Sequence, residues 1–261
     1  MAKKAKKPAI KYEINDMGNP RDVAEVASLR VELNKFFDLP YDATEKPIRK
    51  IGNFKWGVYA FFDYDGHPIY VGQTNEKLRT RIGRHLTNQR TDAVAMSVLD
   101  PFEVHTIKVW PLPDLQDLKG KGPDVKAAKL TLDALEREIT ADVAQFGKLL
   151  NEKDPPKGSE TIKPPKPFAH KLVSDDVFQS RSHPDIRIAR RASTIAKLAQ
   201  VISERKVQGG LRRVMMVQAE RLHDLAKQRY EALGGAASVE EKATGAGDAD
   251  ISGSDVEAAD E

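Results

Sequence analysis

The tightest constraint on this chain's fold is the dipeptide Asp65-Gly66. It sits between two runs rich in aromatic and β-branched residues, within WGVYAFFDYDGHPIYVG at 56–72. An Asp-Gly pair between such runs signals a β-hairpin. With the turn there, Phe62 faces Ile69 and Phe61 faces Tyr70. Side chains on a strand alternate between faces. Val58, Ala60, Phe62, Ile69 and Val71 then form one apolar face, expected to be the core. Tyr59, Phe61 and Tyr70 share the other. Tyr59 and Tyr70 become diagonal neighbours, close enough to act on one ligand. Two half-buried aromatic residues would give the same pattern, and a slip of one residue would separate the faces.

Helical spacing marks the surroundings of the hairpin. Val23, Val26, Leu29, Leu33 and Phe36 predict a helix over 21–37, started near Asn19-Pro20. Residues 76–87 read as a short basic helix and 103–110 as a third strand. Leu132, Leu135, Ile139, Val143, Phe146 and Leu150 form the stripe of a long amphipathic helix over 126–150. Five prolines in 152–170 read as a linker or surface strap with no element of its own. Two helices follow, about 186–206 and 211–233, broken at Gly209-Gly210.

The expected fold class is α+β: a small three-stranded antiparallel sheet flanked by helices, followed by an all-helical C-terminal region. The expected divisions are a basic disordered N-terminus (1–18), a helix and loop (19–55), a central domain (56–152), a proline-rich linker (153–185), a basic helical region (186–233) and an acidic disordered tail (234–261).

Composition narrows the chemistry. The chain has no cysteine, which excludes disulfides, thiolate metal sites and thiol catalysis. No apolar run spans a membrane, and the basic start lacks a signal-peptide core. The expectation is a cytoplasmic protein. A net charge of +3 hides an asymmetry, because residues 234–261 carry −7 and the remainder therefore +10. A basic body points to a polyanionic partner, although a solvated basic surface gives the same count.

On the helix after the hairpin, Leu78, Arg81, Ile82 and His85 are spaced to share one face. An arginine and a histidine among packing residues suit a phosphate site, although a basic helix whose long side chains reach into water gives the same pattern and is the commoner case. Arg79 and Arg84 point elsewhere. On the long helix, Glu136 lies roughly 55° from the centre of the apolar stripe and Glu138 roughly 105°. Glu136 can reach a site at the domain's edge, while Glu138 is expected in water, although two solvated helix charges would give the same pattern. Asn151 follows the helix end. His67, His105, His170, His183 and His223 give no metal-ligand spacing.

The order of these features, GVY at 57–59, YVG at 70–72, then Arg81, His85, Glu136 and Leu150-Asn151, resembles the GIY-YIG nuclease family over about 56–152. The resemblance implies a divalent-metal-dependent endonuclease that hydrolyses phosphodiester bonds, with DNA as the expected substrate. Tyr59 would activate or orient water, and Tyr70 would line the site. Arg81 would bind the scissile phosphate, and His85 would assist proton transfer or phosphate binding. Glu136 would ligate Mg²⁺ or Mn²⁺, and Asn151 would brace the site. Gln73 stands where many members resemble one another in carrying lysine, leaving one fewer cation. The alternative is a catalytically idle binding or interaction module that keeps the fold.

Residues 181–213 hold nine Lys or Arg against two acids. Such a segment can run along a nucleic-acid backbone, which makes Arg190, Arg191, Arg212 and Arg213 candidate contacts beside Arg79 and Arg84. The competing expectation is a helical hairpin that packs on the central domain or joins two copies in a homodimer.

Overall fold

The computed structural model describes residues 24–44, 47–87, 98–118, 120 and 122–235. The segments read as disordered at both termini lie outside the described residues, apart from Gly234 and Gly235. In chain order the elements are α1 (Ala24–Phe37), β1 (Gly57–Phe62), β2 (Pro68–Thr74), α2 (Leu78–Leu86), β3 (Thr106–Pro111), α3 (Pro123–Ala144), β4 (Phe168–Lys171), α4 (Asp175–Ser182), α5 (Pro184–Glu204) and α6 (Gly209–Ala232).

The class is α+β, as the sequence implied, and the antiparallel sheet has one strand more than expected. Its order is β2-β1-β3-β4. β4 and α4 lie in the stretch read as a proline-rich linker. Four residues of β4 give too short a signal among prolines, and pairing with β3 supplies the main-chain bonds that hold it.

The hairpin register matches expectation through Phe61, which pairs with Tyr70, and then breaks. Phe62 pairs with Pro68. The turn is a three-residue loop closed by the Asp63 N–H on the His67 carbonyl at 2.9 Å. Gly66 adopts φ +80°, a conformation glycine enters freely. The irregularity moves Ile69 off the Phe62 face, and it packs with Tyr59 and Phe61 instead.

Both faces of the sheet are covered, which corrects the expectation of a single buried face. One core joins Val58, Ala60, Phe62, Val71 and Trp110 to α3 through Leu132, Leu135 and Ile139. The other joins Tyr59, Phe61 and Ile107 to α1, α2, α5 and α6. Leu198, Ile202, Leu211, Val214 and Val217 are buried in that second core. The apolar faces of the C-terminal helices are thus used within the chain and lend no support to a homodimer.

α3 starts at Pro123, a favoured first helical position, and stops at Ala144, six residues short of expectation. Phe146 leaves the stripe and is 69% exposed, whereas Leu150 is buried in the opposite core. No helix among the described residues is long and apolar enough to cross a membrane.

Candidate active site

Tyr59 lies on the central strand directly opposite Gly72. A Cβ at Gly72 would stand 2.7 Å from the Tyr59 ring and hydroxyl and 2.8 Å from the Tyr70 ring. Glycine there lets both phenols close over the strand. The two rings are 6.2 Å apart, and the His85 ring is 5.8 Å from Tyr59 and 5.2 Å from Tyr70. α2 buries Leu78 and Ile82 and leaves Arg81 and His85 at the margin of the core. The Arg81 Nε–H donates to the Tyr59 hydroxyl at 3.3 Å.

These residues border a cleft of about 720 Å³. Tyr70, Gln73, Arg81, His85, Glu136 and Asn151 line it, together with Arg190, Ser193 and Lys197 of α5. Glu138 does not line it. Tyr59 does not line it either, because the phenol is fully enclosed. Burial drives its pKa well above the ordinary tyrosine range, with Arg81 opposing. Burial also raises Tyr70, again against Arg81.

Glu136 is 9% exposed and faces the cleft. Burial pushes its carboxyl up to about 7, aided by nearby Asp133 and opposed by Gln73 and Arg81. The Gln73 Nε2 donates to Asp133 Oδ1 at 2.7 Å, tying β2 to α3. Asn151 pairs with the main chain of Val71: its Nδ2 donates to the Val71 carbonyl at 2.7 Å, and its Oδ1 accepts from the Val71 N–H at 3.1 Å. The geometry thus brings Tyr59, Tyr70, Arg81, His85, Glu136 and Asn151 together from distant segments.

The arginines expected on a nucleic-acid backbone separate into distinct environments. Arg84 and Arg190 line the cleft. Arg84 pairs with Glu76, and Arg190 grips Asp100 at 2.9 and 3.0 Å. Arg79 binds Asn34 and Asp38 on α1 and the residue after it. Arg212 is exposed, and Arg213 pairs with Asp154. Arg191 is a correction, because it is buried and cannot reach a backbone. Its guanidinium binds Glu103 and Asp63 at 3.0 and 3.1 Å.

Arg191 belongs to a buried ionic cluster that sequence reasoning missed. Arg221 binds Asp63 at 2.8 Å and the Pro68 carbonyl at 2.7 Å. Arg187, 1% exposed, reaches Asp65 at 2.7 Å. These contacts pin α5 and α6 to the hairpin turn. Each arginine lies more than 80 positions from the carboxylate it binds, so no local pattern could have disclosed the pairing.

Asp63, Asp65 and His67 have ligand atoms within 4.8 Å of one another, a grouping the histidine spacing did not suggest. Asp63 Oδ1 already accepts from the main-chain N–H groups of Asp65 and His67, and its Oδ2 receives Arg191 and Arg221. Arginines around these acids disfavour a cation there. Glu136 suits a hard divalent ion better. It is a desolvated carboxylate beside an open cleft, and Mg²⁺ commonly takes one or two carboxylates and keeps several waters.

Residues 55–115 match the family model described as the GIY-YIG catalytic domain, a family of nucleases. The match includes Tyr59, Tyr70, Arg81 and His85. Glu136 and Asn151 lie beyond it and join the site through the fold. No curated protein and no solved structure gives a significant match to the chain.

Proposed function

We propose that the protein is a divalent-cation-dependent endonuclease that hydrolyses phosphodiester bonds in DNA. The observation that carries this reading is the convergence of Tyr70, Arg81, His85 and Glu136 on one cleft within and beside the matched stretch. Arg81 binds the scissile phosphate, and its planar, permanently charged group meets the charge that develops on the phosphate oxygens.

Tyr59 is enclosed and does not reach the cleft, so it does not meet the attacking water. Tyr70 orients the attacking water with its hydroxyl. The His85 imidazole takes the proton as the water oxygen bonds to phosphorus, and the bond to the leaving oxygen breaks, that oxygen taking a proton from solvent to leave as a hydroxyl. Tyr59 is a positioning residue that holds Arg81. Glu136 is the residue to hold Mg²⁺ or Mn²⁺, which would supply Lewis-acid neutralisation of the phosphate. Asn151 keeps the β2 edge in place beneath the site.

The test is incubation of purified protein with supercoiled plasmid, single-stranded oligonucleotide and RNA, with Mg²⁺, Mn²⁺ or EDTA. Cleavage of DNA that EDTA abolishes and Glu136→Gln lacks is expected. Intact substrate under every metal condition would overturn the enzyme reading and leave a binding module.

A further inference from the structure

The cleft has a second wall, and its chemistry bears on the substrate. Arg187, Arg191, Thr194 and Leu198 follow one face of α5 and are buried. The positions between them, Ser193 and Lys197, are therefore turned to the cleft, which they line. The ionic cluster fixes this wall to the hairpin turn. Lys153 lines the same cleft between Glu152 and Asp154, the latter already paired with Arg213. Lys153 and Lys197 are exposed and form no ion pair among the described residues. Arg84 and Arg190 are each committed to a carboxylate.

The cleft is also partly apolar. Half-buried Pro101 and Phe102 line it beside the charged groups, with Leu99 and Leu150 buried behind them, and the Arg181 and Arg190 guanidiniums each lie 4.7 Å from the Phe102 ring. A groove that met only phosphates would have no use for such a wall. In a duplex the base faces are stacked away from the protein. In an unpaired strand they are available to apolar side chains, aromatic rings and guanidinium planes. The volume is that of a pocket enclosing one small ligand, enough for a short stretch of one strand.

Resting on the nuclease reading, we propose that the cleft takes an unpaired nucleic-acid strand. The phosphate at Arg81 is flanked by phosphates held by Lys197 and Lys153, and a base lies against the Leu99–Phe102 wall. The two lysines thus bind phosphates of that strand, and the wall against the base is what selects single-stranded or locally opened substrate.

The experiment measures binding of the full chain in EDTA, where nothing is cleaved. The probes are a fluorescein-labelled oligodeoxynucleotide of about 12 residues and the same sequence as a duplex, each titrated across a salt series. The single strand is expected to bind about tenfold or more tightly than the duplex. Lys153→Gln/Lys197→Gln should weaken single-strand binding and lower the log–log salt slope by about 1.4, or about 0.7 for each phosphate that a lysine no longer neutralises. Thermal melting confirms that the variant is folded, and Lys153→Glu/Lys197→Glu should weaken binding further. Equal or tighter duplex binding, an unchanged salt slope in a folded variant, or no single-strand binding would overturn the proposal. Cleavage with Mg²⁺ is scored separately, so failure of the nuclease reading is distinguishable from failure of this one.

Discussion

The Asn151 side chain pairs with both main-chain groups of Val71, 80 residues away, at 2.7 and 3.1 Å. It acts as one residue of an extra strand on the open edge of β2, next to Tyr70. Leu150 extends the pairing by donating its N–H to the Ile69 carbonyl at 2.8 Å.

Asn151→Ala should therefore cost about 1 kcal/mol, as expected when hydrogen bonds are removed at a partly buried site, and reduce cleavage by loosening Tyr70. Asn151→Asp should be no better in main-chain pairing, since a carboxylate accepts but cannot donate to the Val71 carbonyl. Urea denaturation and single-turnover cleavage check both.

Glu136 makes stability depend on pH. Its folded value, about 7, lies above the ordinary 4.5, so the folded state binds more protons between these values. Stability should fall as pH rises through that window, by about 3 kcal/mol in all. Glu136→Gln should remove this fall and be more stable than the wild type at pH 8. Mg²⁺ or Mn²⁺ should raise the wild-type melting temperature, more at pH 8 than at pH 6, and leave the variant unmoved. Thermal melts across pH, with and without metal, read both effects.

Gly72→Ala should be the most damaging small substitution in the hairpin. The added methyl meets the Tyr59 and Tyr70 rings at 2.7 and 2.8 Å, and overpacking of this kind costs about 1–3 kcal/mol. Activity should fall further than stability, because both phenols must move. Comparing the melting temperature with the cleavage rate separates the two.

Asp63→Ala should destabilise by about 3–5 kcal/mol, since it leaves Arg191 and Arg221 buried without their shared carboxylate. Asp65→Ala should cost less than Asp63→Ala, because the buried Arg187 loses its 2.7 Å partner but keeps Asp63 and Glu103 at 3.4 and 3.7 Å. Chemical denaturation of the two variants tests whether the cluster holds the helices.

Truncation after Asp154 should give an aggregated or unfolded chain. It exposes the Tyr59 core where Leu198, Leu211 and Val214 pack and strips the arginines from Asp63. A folded, monomeric truncation by size-exclusion chromatography and circular dichroism would contradict this.

The hairpin, its register up to Phe61, the helical face carrying Leu78, Arg81, Ile82 and His85, and the approach of Glu136 to an edge were legible in the sequence. Each depends on a short-range period of about 2 or 3.6 residues or on one turn signal. β4 escaped because four residues among prolines carry too little pattern. The early end of α3 escaped because Phe146 and Leu150 continue the stripe by spacing while packing elsewhere.

The sequence by itself determined the local elements and the order of the site residues along the chain. Only the tertiary structure decided that Tyr59 is sealed while Tyr70 meets the cleft, that Arg191 is buried against Asp63 and Glu103, and that α5 lines the same cleft as Glu136. Those outcomes depend on which surfaces meet across long stretches of chain. Burial and charge pairing between distant segments leave no periodic trace in the sequence, because their energy exists only once the segments are packed together.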